Sequence, residues 1–168
     1  RLQQMLLSID TILDMQQLGG RLSLAETVEI WGTDWDPVYL AEAQAEWGDT
    51  EEWAESARRK ARMTRADWEQ AHSETVALET ALAEAMHSGV EPGSPEANAL
   101  ARWHRKDLNR WFEVSTSKQV VIARSYVADE RYARYYDKRA PGLAAWLTDV
   151  IDAGARSEGV EPATATWE

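Results

Sequence analysis

The chain has 168 residues, a net charge of −11 and no cysteine. That length suits one domain with an appended arm. The acidic balance argues against direct nucleic-acid binding, and the missing cysteines exclude disulfides, thiolate nucleophiles and thiolate zinc sites. Leu, Ile, Val and Phe together make up only 30 residues, against nine Trp and five Tyr. Aromatic area must therefore replace aliphatic area in the core, and some segments are expected to order only on demand.

In chain order, LQQMLLSIDTILDMQQL (2–18) sets Leu2, Met5, Leu6, Ile9, Ile12 and Leu13 at spacings of three and four. This is an amphipathic helix ended by Gly19-Gly20, either a surface helix or the end of a dimerising coiled coil. Ser23 to Glu26 fits a capping box for a short helix closed at Trp31-Gly32. Asp36-Pro37 starts a helix that runs to Trp47-Gly48, and Asp49-Thr50 caps one from 51 to about 62. Thr64 and Asp67 open a long helix to about Ser88. GVEPGSP (89–95) is a loop in which Ser94 caps the next helix and Pro95 begins it. That helix is expected over 96–112. Ser115 and Thr116 interrupt it, and Val120 to Val127 resume it, helix being preferred to strand. Asp129 caps a Tyr- and Arg-rich helix, Pro141 begins a last one to about Ala155, and 156–168 reads as a flexible tail. The fold class is all-α.

The run WGDTEEWAESARRKARMTRADW (47–68) is unusual. From Ala41 to Thr75 the only large apolar side chains are Trp47, Trp53, Met63 and Trp68. A helical segment so poor in aliphatics has little with which to build a core of its own.

Chemistry is sparse. Glu69/His72 and Glu84/His87 have the spacing used in di-iron bundles, but they fall on one helix about 22 Å apart, too far to share a metal. His104 lies on the apolar stripe of its helix, where a satisfied buried side chain is the ordinary reading. Neither a nucleophile elbow with glycines on both sides of a serine nor a phosphate-binding glycine loop is present. The chain is therefore read as a non-enzyme that needs no cofactor. With no apolar run near 20 residues and no signal-peptide pattern, a cytoplasmic location with no membrane partner is expected. What remains is the tryptophan content. Each Trp is by itself a core residue, yet collectively they suit a cleft that grips flat, aromatic or cationic small molecules.

WGDTEEWAESARR (47–59), TRADW (64–68), His104-Arg105 and YVADERYARYYDKRAPGLAAWLTDVI (126–151) resemble the TipAS antibiotic-recognition domain of MerR-family regulators. The resemblance spans about 25–155. It implies a compact, globin-like helical fold with a cleft for hydrophobic, often peptide-derived antibiotics, and N-terminal helices that close as a lid. It further implies a homodimeric transcriptional activator that touches DNA through a helix-turn-helix domain absent from this sequence. Residues 1–20 would then end the dimerising helix, and 21–155 would form the ligand-binding domain. Family members that trap thiopeptides covalently use a cysteine. The matching neighbourhood here, Val114 to Val121, has none, so capture would be non-covalent. WGTDWDP (31–37) and Trp111-Phe112 are bulkier than the family pattern and imply a different, flatter or longer ligand.

The candidate ligand contacts are Trp31, Trp35, Tyr39, Trp47, Trp53, Trp103, His104, Trp111, Ser115, Tyr126 and Tyr136. Residues 22–75 are expected to order around the ligand. A stand-alone drug-sequestering protein and a protein-interaction module are the alternatives.

Overall fold

The computed structural model describes residues 37–168 together with Glu26, Glu29 and Ile30. The expected helix over 2–18 and most of the short helix before Trp31 lie outside the described residues. Within them every regular element is helical: α1 (Pro37–Trp47), α2 (Glu51–Lys60), α3 (Arg65–His87), α4 (Pro95–Leu108), α5 (Thr116–Ala128), α6 (Glu130–Asp137) and α7 (Leu143–Ser157), then a 3-10 turn, Pro162–Thr164. Among the described residues, no helix is long and apolar enough to cross a membrane. Contacts divide the chain into two units, residues 1–73 and 74–168, with the boundary falling inside α3.

In the first unit local signals set the helix ends. Thr50 Oγ1 accepts from the Trp53 amide at 3.2 Å and donates to the Trp47 carbonyl at 2.6 Å, so one side chain joins the end of α1 to the start of α2. Gly48 lies between them because a β-carbon there would stand 2.4 Å from the Gln44 carbonyl oxygen. The expected box opening α3 is present and reciprocal. Thr64 N donates to Asp67 Oδ2 at 2.7 Å, and Asp67 N donates to Thr64 Oγ1 at 3.3 Å. The Thr64 amide and, at 2.8 Å, the Thr64 hydroxyl both donate to the Asp67 carboxylate and hold it below its ordinary range. Arg65 beside them reaches Glu26, Glu29 and Glu69 at 3.3, 3.1 and 2.8 Å. Apolar burial is scant. No residue of α2 is buried, and only Ile30, Trp68 and Ala71 are core among the described residues of this unit.

The second unit has a conventional core. Leu78 and Leu82 of α3, Val120 of α5, and Leu143, Leu147, Val150 and Ile151 of α7 are fully buried. Helix α7 is central and packs on α4, α5 and α6. Small residues let α4 and α7 approach closely: Ala97 and Ala101 face Val150, and a β-carbon on Gly154 would meet the Ala101 methyl at 3.0 Å.

Three expectations are corrected in detail. The helix from 96 ends at Leu108 rather than Phe112. The Asn109 side chain ends it by donating to the carbonyls of Arg105 (2.8 Å) and Val114 (3.1 Å) and accepting from the Val114 amide at 2.9 Å. Ser115 is accordingly the N-cap of α5, accepting from Lys118 N at 3.0 Å. The last helix begins at Leu143, after Gly142 in the left-handed region (φ 87°), rather than at Pro141. Of residues 156–168, read as a tail, 156 and 157 end α7 and 158–168 lie along α4 and α5. Glu158 binds Arg105 at 2.7 and 3.1 Å and Thr116 at 2.7 Å, and Pro162 is buried.

Candidate ligand-recognition site

Each unit carries its own share of the sequence-expected residues. Trp31 and Trp35 lie outside the described residues, as does the side chain of Tyr39. In the first unit Trp47 is 39% exposed and Trp53 half-buried, their backbones joined through Thr50. In the second unit Trp103 is 39% exposed on the outer face of α4. Trp111 is half-buried in the loop that Asn109 pins, and Ser115 is exposed at the start of α5.

His104, Tyr126 and Tyr136 are brought together, but facing inward. His104 is only 3% exposed, and Tyr126 and Tyr136 are buried in the core. The chemistry fixes the state of this cluster. Gln119 Nε2 donates to the Ala101 carbonyl at 2.8 Å and stands 3.0 Å from His104 Nδ1. An amide nitrogen has only hydrogens to offer, so Nδ1 must be the bare acceptor and the imidazole is neutral. Its proton sits on Nε2, which donates to the Tyr126 hydroxyl at 3.1 Å. Burial holds the His104 pKa down to about 4, in agreement with that assignment. Tyr126 in turn shares a hydrogen bond with Tyr136, and burial holds both phenols well above their ordinary range.

Around this neutral chain lies a layer of polar groups that sequence reasoning did not select. Glu79, 3% exposed, accepts from the Tyr135 hydroxyl and from Arg139. Asp107 accepts from Thr75 at 3.1 Å and from Arg110 at 2.8 Å, and Arg110 also reaches Glu74 at 2.7 Å. Glu79 could have been found from its position beside Leu78 and one turn before Leu82, on the inward face of α3. The exposed rings of α6 are Tyr132 (48%) and Tyr135 (43%), not Tyr136. The stripe Ala133, Tyr136, Ala140 turns inward and leaves those two rings outside. Tyr132 lies 6.1 Å from the buried Tyr126 ring, and Tyr135 meets Tyr136 edge-on at 5.2 Å.

The outcome is an aromatic surface on α6, with Val127 of α5 also exposed, held by buried rings, a neutral hydrogen-bonded chain and a paired carboxylate. Such a surface offers flat π faces, suited to stacking with a planar ligand. Among the described residues no cluster of His, Cys, Asp or Glu could hold a metal ion.

In three dimensions the chain is similar to a solved TipAS of Streptomyces lividans, whose structure is a complex with nosiheptide from a thiopeptide antibiotic multidrug-resistance system. The TM-score is 0.75 at 30% identity, covering 83% of this chain and 99% of that one. The likeness gives the class, an all-helical domain of the TipAS type. Residues 39–153 match the family model described as the TipAS antibiotic-recognition domain, and the chain belongs to that family. It is also 30% identical over 157 residues to the HTH-type transcriptional activators TipA of Streptomyces coelicolor and Streptomyces lividans. That alignment covers 92% of this chain, which spans about 62% of the length of those relatives.

Proposed function

We propose that this chain is the drug-sensing domain of a transcriptional activator and holds a hydrophobic, aromatic or peptide-derived antibiotic without forming a covalent bond. The observation that carries this reading is the TipAS match over residues 39–153, supported by the nosiheptide complex of the structural relative. Non-covalent capture follows from the absence of cysteine. Trp103, Trp111, Ser115, Tyr132 and Tyr135 are the contacts proposed in the second unit, with Tyr126, Tyr136 and His104 as the buried support beneath them. Trp47 and Trp53 are the contacts proposed in the first, together with Trp31, Trp35 and Tyr39 from the sequence reading. In the intact regulator a helix-turn-helix segment would carry the DNA contact and a preceding helix the homodimer.

Residues 41–73 are the part proposed to respond. They bury little more than Trp68 and Ala71, so their native packing contributes little, and a bound ligand would supply the apolar surface they lack. Ordering a segment of this kind costs about 2–5 kcal/mol, which ligand stacking must exceed. Titration with nosiheptide, followed by tryptophan fluorescence, tests binding. Amide exchange in the same samples tests the response. The expected result is saturable quenching together with slower exchange over residues 41–73. Exchange there already as slow as in α7 without ligand refutes the coupled ordering. The absence of quenching by nosiheptide or any other aromatic or peptide antibiotic refutes the receptor role.

A further inference from the structure

The segment Pro162–Glu168 makes an uncommon set of contacts with the start of α5 and the loop before it. Ser117 Oγ donates to the Thr166 carbonyl at 2.8 Å and accepts from the Thr166 amide at 2.9 Å. Ser115 Oγ donates to the Glu168 carbonyl, and the Arg124 guanidinium donates to the carbonyls of Pro162 and Ala165. Every one of these bonds ends on backbone. Among the side chains of the segment, Pro162 is buried, Ala165 packs its methyl on the core and Trp167 lies against Phe112, while the Thr164 hydroxyl turns back to the Glu161 carbonyl. The Trp167 ring lies 6.2 Å from Phe112, tilted by 38°, with Lys118 Nζ 5.8 Å from its centre.

Hydrogen bonds to backbone ignore the identity of the side chains between them, whereas a seat for one ring and one proline selects. That division is how peptide-binding surfaces are built. The receiving groups are also preset. Ser117 and Arg124 stand on α5, Ser115 caps it, and Phe112 belongs to the stretch that the Asn109 side chain closes onto Val114.

We propose that the face formed by Phe112, Ser115, Ser117, Lys118 and Arg124 is a peptide-binding subsite for an extended backbone bearing a flat aromatic ring. In the free protein the chain's own segment Pro162–Glu168 occupies it, and a peptide-derived ligand must displace that segment. The second half rests on the antibiotic-binding reading; the first does not. A tethered segment competes at an effective concentration in the millimolar range. If it is seated about nine-tenths of the time, it weakens a competitor about tenfold.

The test uses the chain ending at Val160, the intact chain, and a synthetic peptide with the sequence of Glu161–Glu168. The peptide is expected to bind the shortened chain and shift the amide resonances of Phe112–Arg124. It should leave the intact chain unaffected and lose at least tenfold in affinity when its tryptophan is replaced by alanine. Nosiheptide is expected to bind the shortened chain about tenfold more tightly than the intact one. Should the shortened chain not fold, Trp167→Ala in the intact chain is expected to tighten nosiheptide binding in the same direction and to speed amide exchange at Thr166. The subsite is overturned if the peptide, at millimolar concentration, moves no resonance of the folded shortened chain or binds both forms equally. Competition is overturned if nosiheptide binds both forms with equal affinity. Peptide binding to the shortened chain, with neither nosiheptide nor any other aromatic or peptide antibiotic bound by either form, sustains the subsite and refutes the antibiotic reading instead.

Discussion

The buried imidazole makes a quantitative prediction about pH. His104 is enclosed with Gln119 on one side and Tyr126 on the other, and Gln119 presents a hydrogen donor to Nδ1. Protonation would aim an N–H at an N–H and place a charge in an apolar interior. The pKa accordingly falls from 6.5 to about 4, which corresponds to roughly 3 kcal/mol between the folded and unfolded affinities for a proton. Because the folded value is the lower one, the unfolded chain takes up the proton first as pH falls. The stabilisation is fully present above pH 6.5, declines as pH falls toward 4, and is gone below it. The steepest loss is about 1.4 kcal/mol per pH unit. Urea unfolding from pH 7.5 to 4, on the intact chain and on His104→Gln, isolates this contribution. Subtracting the variant's curve removes the groups common to both. The difference should shrink by roughly 3 kcal/mol across the window. Parallel curves, or an imidazole that titrates near 6.5 by NMR, would refute the neutral-histidine assignment.

Other perturbations probe the support beneath the aromatic surface. Glu79→Gln leaves Arg139 and the Tyr135 hydroxyl without their anionic acceptor. A loss of about 2 kcal/mol in urea unfolding is expected, limited because Arg139 is partly exposed. Gly154→Ala drives a methyl against the Ala101 side chain at 3.0 Å and should cost about 1–3 kcal/mol, with Ala101→Gly in the same chain restoring most of it. Asn109→Ala frees the end of α4 and the loop before α5. About 1–3 kcal/mol of stability should be lost, and amide exchange at Val114 should speed up, since its N–H loses its acceptor.

The helices were legible because their ends are written in local chemistry. Thr50, Thr64 with Asp67, Ser94 and Asp129 each cap the helix that their spacing announces. Where the reading missed a boundary, a side chain had taken backbone partners that periodicity does not encode. Asn109 does so by bridging Arg105 and Val114, ending α4 four residues before the apolar pattern does. Residues 158–168 were missed for a related reason. Glu158, Thr166 and Glu168 have nothing apolar to announce them, and their partners Arg105, Ser117 and Ser115 stand 53, 49 and 53 positions away.

The candidate residues were legible as residue types, but the direction in which each ring faces was not. Tyrosine and tryptophan content drew attention to α4 and α6, but a helix presents neighbouring rings in different directions. His104 turns inward while Trp103 stays out; Tyr136 turns inward while Tyr132 and Tyr135 stay out. The residues that look most reactive, a histidine and a buried tyrosine, are thereby enclosed, and in the proposed site their part is positional. A neutral histidine that donates to Tyr126 keeps the buried ring, and through it the 6.1 Å contact with Tyr132, in one place. Without that chain, exposed rings on a short helix would have rotamer freedom to lose on binding. With it, that cost is met during folding, as the proposed antibiotic-binding role would require of the second unit.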